Sequence, residues 1–93
     1  MPPDERRIVL LTQEQCASCD DAKDILARLS GELGLSVEVL DLDTAEGTRL
    51  AQKAGVLFAP GILVGETLIS YGRPSERRLR RDLARLAGAD RRS

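Results

Sequence analysis

Short apolar runs alternate along this chain with longer stretches in which apolar residues recur every third or fourth position, and that rhythm lays out its elements. Ile8-Val9-Leu10-Leu11 is a continuous apolar run with β-branched members, which predicts a strand buried on both faces. Ala22, Ile25, Leu26, Leu29 and Leu33 then share one helical stripe, while Asp20, Asp21, Asp24 and Arg28 take the other side. This predicts an amphipathic helix of about four turns, ended by Gly31 and Gly34. Leu35 to Asp41 alternates with period two, placing Leu35, Val37 and Val39 on one face of a second strand. Strand, helix and strand in succession favour parallel pairing with a right-handed crossover. Thr44 is placed to cap a shorter helix through Ala54, weakened by Gly47 and stopped by Gly55. Ile62-Leu63-Val64 and Thr67 to Tyr71 flank Gly65-Glu66, a connection suited to a type II′ hairpin turn. Pro74 and Ser75 introduce a last helix with a Leu79, Leu83, Leu86 stripe that is expected to end near Gly88. The predicted order is β-α-β-α-β-β-α.

At 93 residues the chain is expected to form one domain, 1–93, with 1–6 and 89–93 as flexible ends. Its apolar runs are far shorter than the roughly 20 residues that cross a bilayer. The segment Met1 to Arg7 carries acids and does not resemble a secretory signal, so cytoplasm is the expected location and no membrane partner is expected. Charge is unevenly spread: residues 1–50 hold eleven acids against five bases, and residues 51–93 four against nine. A dipolar molecule of this kind can orient a protein partner. The arginines of the last helix, Arg77, Arg78, Arg80, Arg81 and Arg85, surround its leucine stripe and are assigned to a solvated face. With Phe58 and Tyr71 as the aromatic residues there is little stacking surface, and no nucleic-acid partner is expected. Asp41 and Asp43 are assigned to loop capping in preference to a metal or catalytic pair.

There is no histidine, which removes His-based acid–base catalysis and every Cys-His dyad. Both cysteines lie in Cys16-Ala17-Ser18-Cys19, at the start of the first helix. Extending the helical stripe back from Ala22 puts Cys19 toward the protein and leaves Cys16 at the exposed tip. Two thiols so spaced can close and reopen a small disulfide. The competing readings are a metal role, which needs ligands from carboxylates or a second chain, and two incidental cysteines. A free cysteine of pKa about 8.5 must be activated to act as a thiolate. The helix N-terminus favours the anion by about 0.3–1 kcal/mol. Glu14, Asp20 and Asp21 oppose it, one carboxylate at ~8 Å costing about 1 kcal/mol. A modestly lowered Cys16 pKa is therefore expected, with Lys23 and Arg73 as candidate counter-charges.

This element order, with a CxxC after the first strand and Pro60 before the hairpin, resembles the glutaredoxin and thioredoxin-like family from about Arg7 to Ala87. The resemblance implies an α/β thioredoxin-like fold: a four-stranded mixed sheet flanked by three helices. It implies Cys16 as attacking and Cys19 as resolving thiol. It also implies a cis Pro60 against the pair, with the backbone of Ala59 meeting the substrate chain. Tyr71, Gly72 and Arg73, after the last strand, are further candidates for substrate contact. Some motifs depart from the family pattern. Ala17-Ser18 replaces the Pro-Tyr of dithiol glutaredoxins and the Gly-Pro of thioredoxins, Phe58-Ala59-Pro60 replaces Thr-Val-Pro, and Tyr71-Gly72-Arg73-Pro74 replaces a Gly-Gly-acid step. These departures argue against glutathione as the reductant.

The expectation is a monomeric dithiol–disulfide oxidoreductase acting on protein or small-molecule disulfides. It would need no cofactor beyond its own cysteine pair and would be served by a low-molecular-weight thiol or a reductase. The alternative is a non-catalytic or iron–sulfur-binding module of the same fold.

Overall fold

The structure is a computed structural model that describes residues 7–92, with side chains described as far as residue 85. In chain order the elements are β1 (Ile8–Thr12), α1 (Ala17–Leu33), β2 (Val37–Asp41), α2 (Ala45–Ala54), β3 (Gly61–Val64), β4 (Thr67–Tyr71) and α3 (Glu76–Arg92). The sheet order is β2-β1-β3-β4. β1 pairs parallel with β2 and antiparallel with β3, and β3 pairs antiparallel with β4. The predicted order and the thioredoxin-like α/β architecture are both present.

β1 is central, and every one of its residues is buried. Its alternation divides the core in two. Ile8 and Leu10 face α1 and α3, packing with Ala22, Ile25, Leu26, Leu29, Ile62, Leu79 and Leu83. Val9 and Leu11 face α2, packing with Leu50, Ala51, Val56 and Leu63. Each fully buried Leu or Ile removes enough apolar surface from water to contribute about 1.5–3 kcal/mol, so β1 anchors both layers.

Several elements differ from expectation. Gly31 does not end α1, which runs on to Leu33 and is capped by Gly34 in the left-handed region at φ 68°. A solvent-side glycine costs a helix about 1 kcal/mol, which the stripe through Leu29 outweighs. β2 begins at Val37, two residues after Leu35, and Val39 is 49% exposed because this is an edge strand. α3 passes through Gly88 to Arg92. Of the ends expected to be flexible, 89–92 continue this helix, while 1–6 and Ser93 lie outside the described residues, as does the side chain of Leu86.

Gly47 is required where it sits. A Cβ there would collide with the Asp41 carbonyl oxygen and Thr44 Oγ1, so its absence lets α2 start hard against the end of β2. The cap is as expected: Thr44 Oγ1 accepts from Gly47 N–H at 3.0 Å. Asp41 Oδ1 accepts from Asp43 N–H at 2.8 Å, a loop-closing role. Gly65 takes φ 61° while Glu66 stays out of the positive region, as a type II′ turn requires.

Exposed ion pairs tie the elements together. Glu76 joins Arg28 at 2.6 Å and Arg80 at 3.2 Å, and Arg80 reaches Glu32 at 2.9 Å, linking α1 to α3. Arg80 thus spans two helices and is more than part of a solvated face. Hydrogen bonding to Arg28 holds the Glu76 carboxyl below its ordinary range, and Arg80 does the same to Glu32. No helix of the described residues is long and apolar enough to cross a membrane.

Candidate functional site

The site forms where β1 hands the chain to α1. After Thr12 the backbone turns through Glu14 and Gln15, and Gln15 adopts φ 52°. A left-handed conformation costs a residue with a Cβ about 1–2 kcal/mol, and it turns the next residue into a helix cap. That residue is Cys16, the N-cap of α1, with extended φ −124° and ψ 101°. Its Sγ accepts a hydrogen bond from Cys19 N–H at 3.1 Å, the position a serine or aspartate oxygen fills in an ordinary cap.

Cys16 and Cys19 form a disulfide, their Cα atoms 5.2 Å apart. The two sulfurs differ in access. Cys19 is 1% exposed, on the buried stripe of α1 with Ala22 and Ile25, whereas Cys16 is half-buried at the tip. The inward Cys19 expected from the periodicity is therefore observed, and Cys16 is less open than expected. Cys16 Sγ thus lies at the N-terminal end of α1, on the Cys19 N–H.

The segment Leu57 to Gly61 meets the stretch before Cys16 through Gln13. The Ala59–Pro60 peptide bond is cis. The β1–β3 ladder ends at Leu11–Gly61. Extending that register by two positions sets Gln13 opposite Ala59, and there a side chain replaces the missing ladder partner: Gln13 Oε1 accepts from Ala59 N–H at 2.8 Å. Nothing local in the sequence singles out Gln13. Its place follows from the β1–β3 register.

Tyr71 arrives through an irregularity. Thr67 and Leu68 pair with Val64 and Leu63, but the register then slips by one, so that Ser70 and Tyr71 pair with Ile62 and Gly61. The extra residue is Ile69, which packs into the α1/α3 cluster. A one-residue slip exchanges the faces of all that follows. Without it Tyr71 would face α1 and α3. With it the ring stacks on Phe58 at 4.7 Å between centroids, and its hydroxyl accepts from Leu57 N–H at 2.7 Å. Leu57 is 88% and Phe58 53% exposed, so they and Tyr71 make an apolar ledge beside Ala59–Pro60. Gly72, at φ 80°, donates its N–H to the Pro60 carbonyl at 2.8 Å.

Of the residues singled out in the sequence, Cys16 and Cys19 are thus joined, and Ala59, Pro60, Tyr71 and Gly72 are gathered around one loop. Arg73 follows Gly72 and, together with Tyr71, Ser75, Arg78 and Asp82, lines an open cleft between β4 and α3. No group of three or more Cys, Asp or Glu is gathered as a metal site among the described residues.

The profile of the Glutaredoxin-like domain (DUF836) matches residues 7–84, which is most of the chain and all of this site. The chain belongs to the glutaredoxin-like domain family. Uncharacterized proteins of Mycobacterium tuberculosis and Mycobacterium bovis are 37% identical to it over 82 residues, covering 85% of this chain and 84% of theirs. A protein of Archaeoglobus fulgidus named as a probable thioredoxin is 27% identical over 81 residues, covering 87% of this chain and 89% of its own. A solved structure described as that of a malarial protein superposes with a TM-score of 0.56 at 21% identity, covering 89% of this chain and 93% of the other, a likeness of fold. A glutaredoxin-like domain with its CxxC pair joined at the start of α1 is a thioredoxin-like redox module.

Proposed function

We propose that this protein is a thiol–disulfide oxidoreductase that reduces disulfides through Cys16 and Cys19. The observation that carries the proposal is the asymmetry of the pair: one sulfur reachable at a helix N-terminus, the other buried within bonding distance of it. In the reduced protein the Cys16 thiolate attacks one sulfur of the substrate disulfide. A Cys16–substrate disulfide forms, the substrate S–S bond breaks, and the departing thiolate takes up a proton. Cys19, deprotonated, then attacks Cys16 Sγ, closing the Cys16–Cys19 bond and releasing the second substrate thiol. Two electrons pass from the protein to the substrate. A low-molecular-weight thiol or a reductase returns them by reopening the bond.

Ala59 and Pro60 form the wall along which the substrate chain lies, with Tyr71 and Gly72 at its rim and Arg73 further out. The chemistry draws on the two sulfurs and calls on no other resident group. The cytoplasm, where thiols are kept reduced, suits a pair that must be reopened each cycle.

The test is an equilibrium titration of the pair in glutathione and dithiothreitol buffers, with free thiols counted. A two-electron transition between roughly −270 and −200 mV is expected, the span of thioredoxins and glutaredoxins. No transition, with both thiols persistently free, would overturn the proposal. Cys16→Ser abolishes turnover, whereas Cys19→Ser accumulates the mixed disulfide. Equal loss with no trapped adduct would defeat the assignment of roles.

A further inference from the structure

We infer that Gln13 sets the substrate preference of this site, by holding closed the main-chain donor on which an extended polypeptide would dock. The inference rests on the thiol–disulfide exchange reading and adds to it a substrate class: a disulfide carried in an extended segment with an apolar neighbour.

Four observations lead there. The Ala59 N–H lies just past the end of the β1–β3 ladder and has no sheet partner, yet Ala59 is 9% exposed, so this donor needs an acceptor. Its acceptor is the Gln13 carboxamide oxygen, which offers the same chemistry as a peptide carbonyl. Gln13 is itself exposed and can swing into water, where its amide is fully solvated. It stands three residues before Cys16, so this bond ties the Ala59 segment to the stretch that leads into the cysteine pair.

The surroundings favour a peptide over a small charged disulfide. Leu57 and Phe58 are exposed and apolar, and the Tyr71 hydroxyl is already engaged with Leu57 N–H. The ledge therefore offers contact to apolar side chains. A substrate with a peptide carbonyl replaces the Gln13 oxygen on Ala59 and loses nothing by the exchange. A small disulfide without that carbonyl has no gain from displacing Gln13.

The experiment compares two probes with dithiothreitol as electron donor. One is bis(hydroxyethyl) disulfide. The other is a short leucine-containing peptide whose cysteine is held as a mixed disulfide with mercaptoethanol. The readout is the ratio of kcat/KM for the peptide to that for the small disulfide. Gln13→Met removes the acceptor at nearly constant size and raises this ratio about threefold to tenfold, through a lower peptide KM. Gln13→Glu keeps an acceptor on Ala59 and leaves the ratio at or below that of the wild type. A ratio that is unmoved or falls in Gln13→Met, or that rises equally in Gln13→Glu, overturns the inference while leaving exchange chemistry standing. Failure of the wild-type protein to reduce even the small disulfide would remove the proposed function, and this inference with it.

Discussion

The two faces of the sheet are built to different standards. The α1/α3 face is covered by two helices of 17 residues each, closed by nine buried side chains among the described residues and laced on its outside by the Arg28, Glu76, Arg80 and Glu32 pairs. The α2 face is covered by one helix of 10 residues over six buried side chains, and the loop that follows leaves Leu57 and Phe58 open to solvent. The heavier layer holds α1 rigidly, and with it Cys19. The lighter layer carries the ledge and the Ala59 donor, where the proposed substrate would lie. Burial is thus denser under the paired sulfurs than beside them, and local stability is expected to follow that density.

Substitutions can break or sharpen that contrast. The largest effect is expected from Leu29→Ala in the heavy layer, about 2–5 kcal/mol by urea denaturation, with Leu50→Ala beneath α2 costing less. Equal losses at the two positions would erase the distinction between the layers. Gly47→Ala comes next. Alanine is the better helix former by about 1 kcal/mol, but its Cβ meets the Asp41 carbonyl, so a net destabilisation of about 1–3 kcal/mol is expected from the same measurement. A stabilised variant would show that α2 can lift off the sheet freely.

Tyr71→Phe is smaller again. The ring still stacks on Phe58, and the Leu57 N–H, on an exposed residue, turns to water, so stability falls by no more than about 1 kcal/mol. Faster hydrogen exchange at the Leu57 amide is the expected signature, and unchanged exchange would mean that the hydroxyl does not hold the ledge.

The smallest effect is electrostatic. The Glu76 and Glu32 carboxyls are depressed in the folded state, chiefly by hydrogen bonds from Arg28 and Arg80 respectively. Such groups stabilise the fold above their unfolded pKa, and that contribution is lost as pH falls through the depressed folded value. The gap in melting temperature between wild type and Glu76→Gln should be modest at neutral pH and close as pH drops below about 4.5, the ordinary glutamate value. Because these pairs lie in solvent, added salt should narrow the gap as well. A gap that widened in acid would contradict the assignment.

Much of this was legible in the chain itself. The order of elements, the Thr44 cap, the positive φ at Gly65 and the inward turn of Cys19 all follow from apolar spacing and turn chemistry. Each depends on one residue and its near neighbours, or on which face of its own element that residue occupies. The same local logic misjudged Gly31, where a glycine's helix cost was outweighed by burial of the stripe around it. It also took Gly47 for a weakness, because the atoms that exclude a Cβ there belong largely to a different element.

What the tertiary structure alone decided is the composition of the site around the sulfurs. Gln13 and Ala59 are 46 residues apart and meet only because β1 and β3 pair in one register, whose ladder stops at Leu11–Gly61. Tyr71 reaches Phe58 only because Ile69 is accommodated as an extra residue, which exchanges the face of everything after it. Periodicity records which side of an element is buried, a property of each element taken singly. Register and its slips belong to pairs of strands, and they are fixed by the packing of the whole sheet.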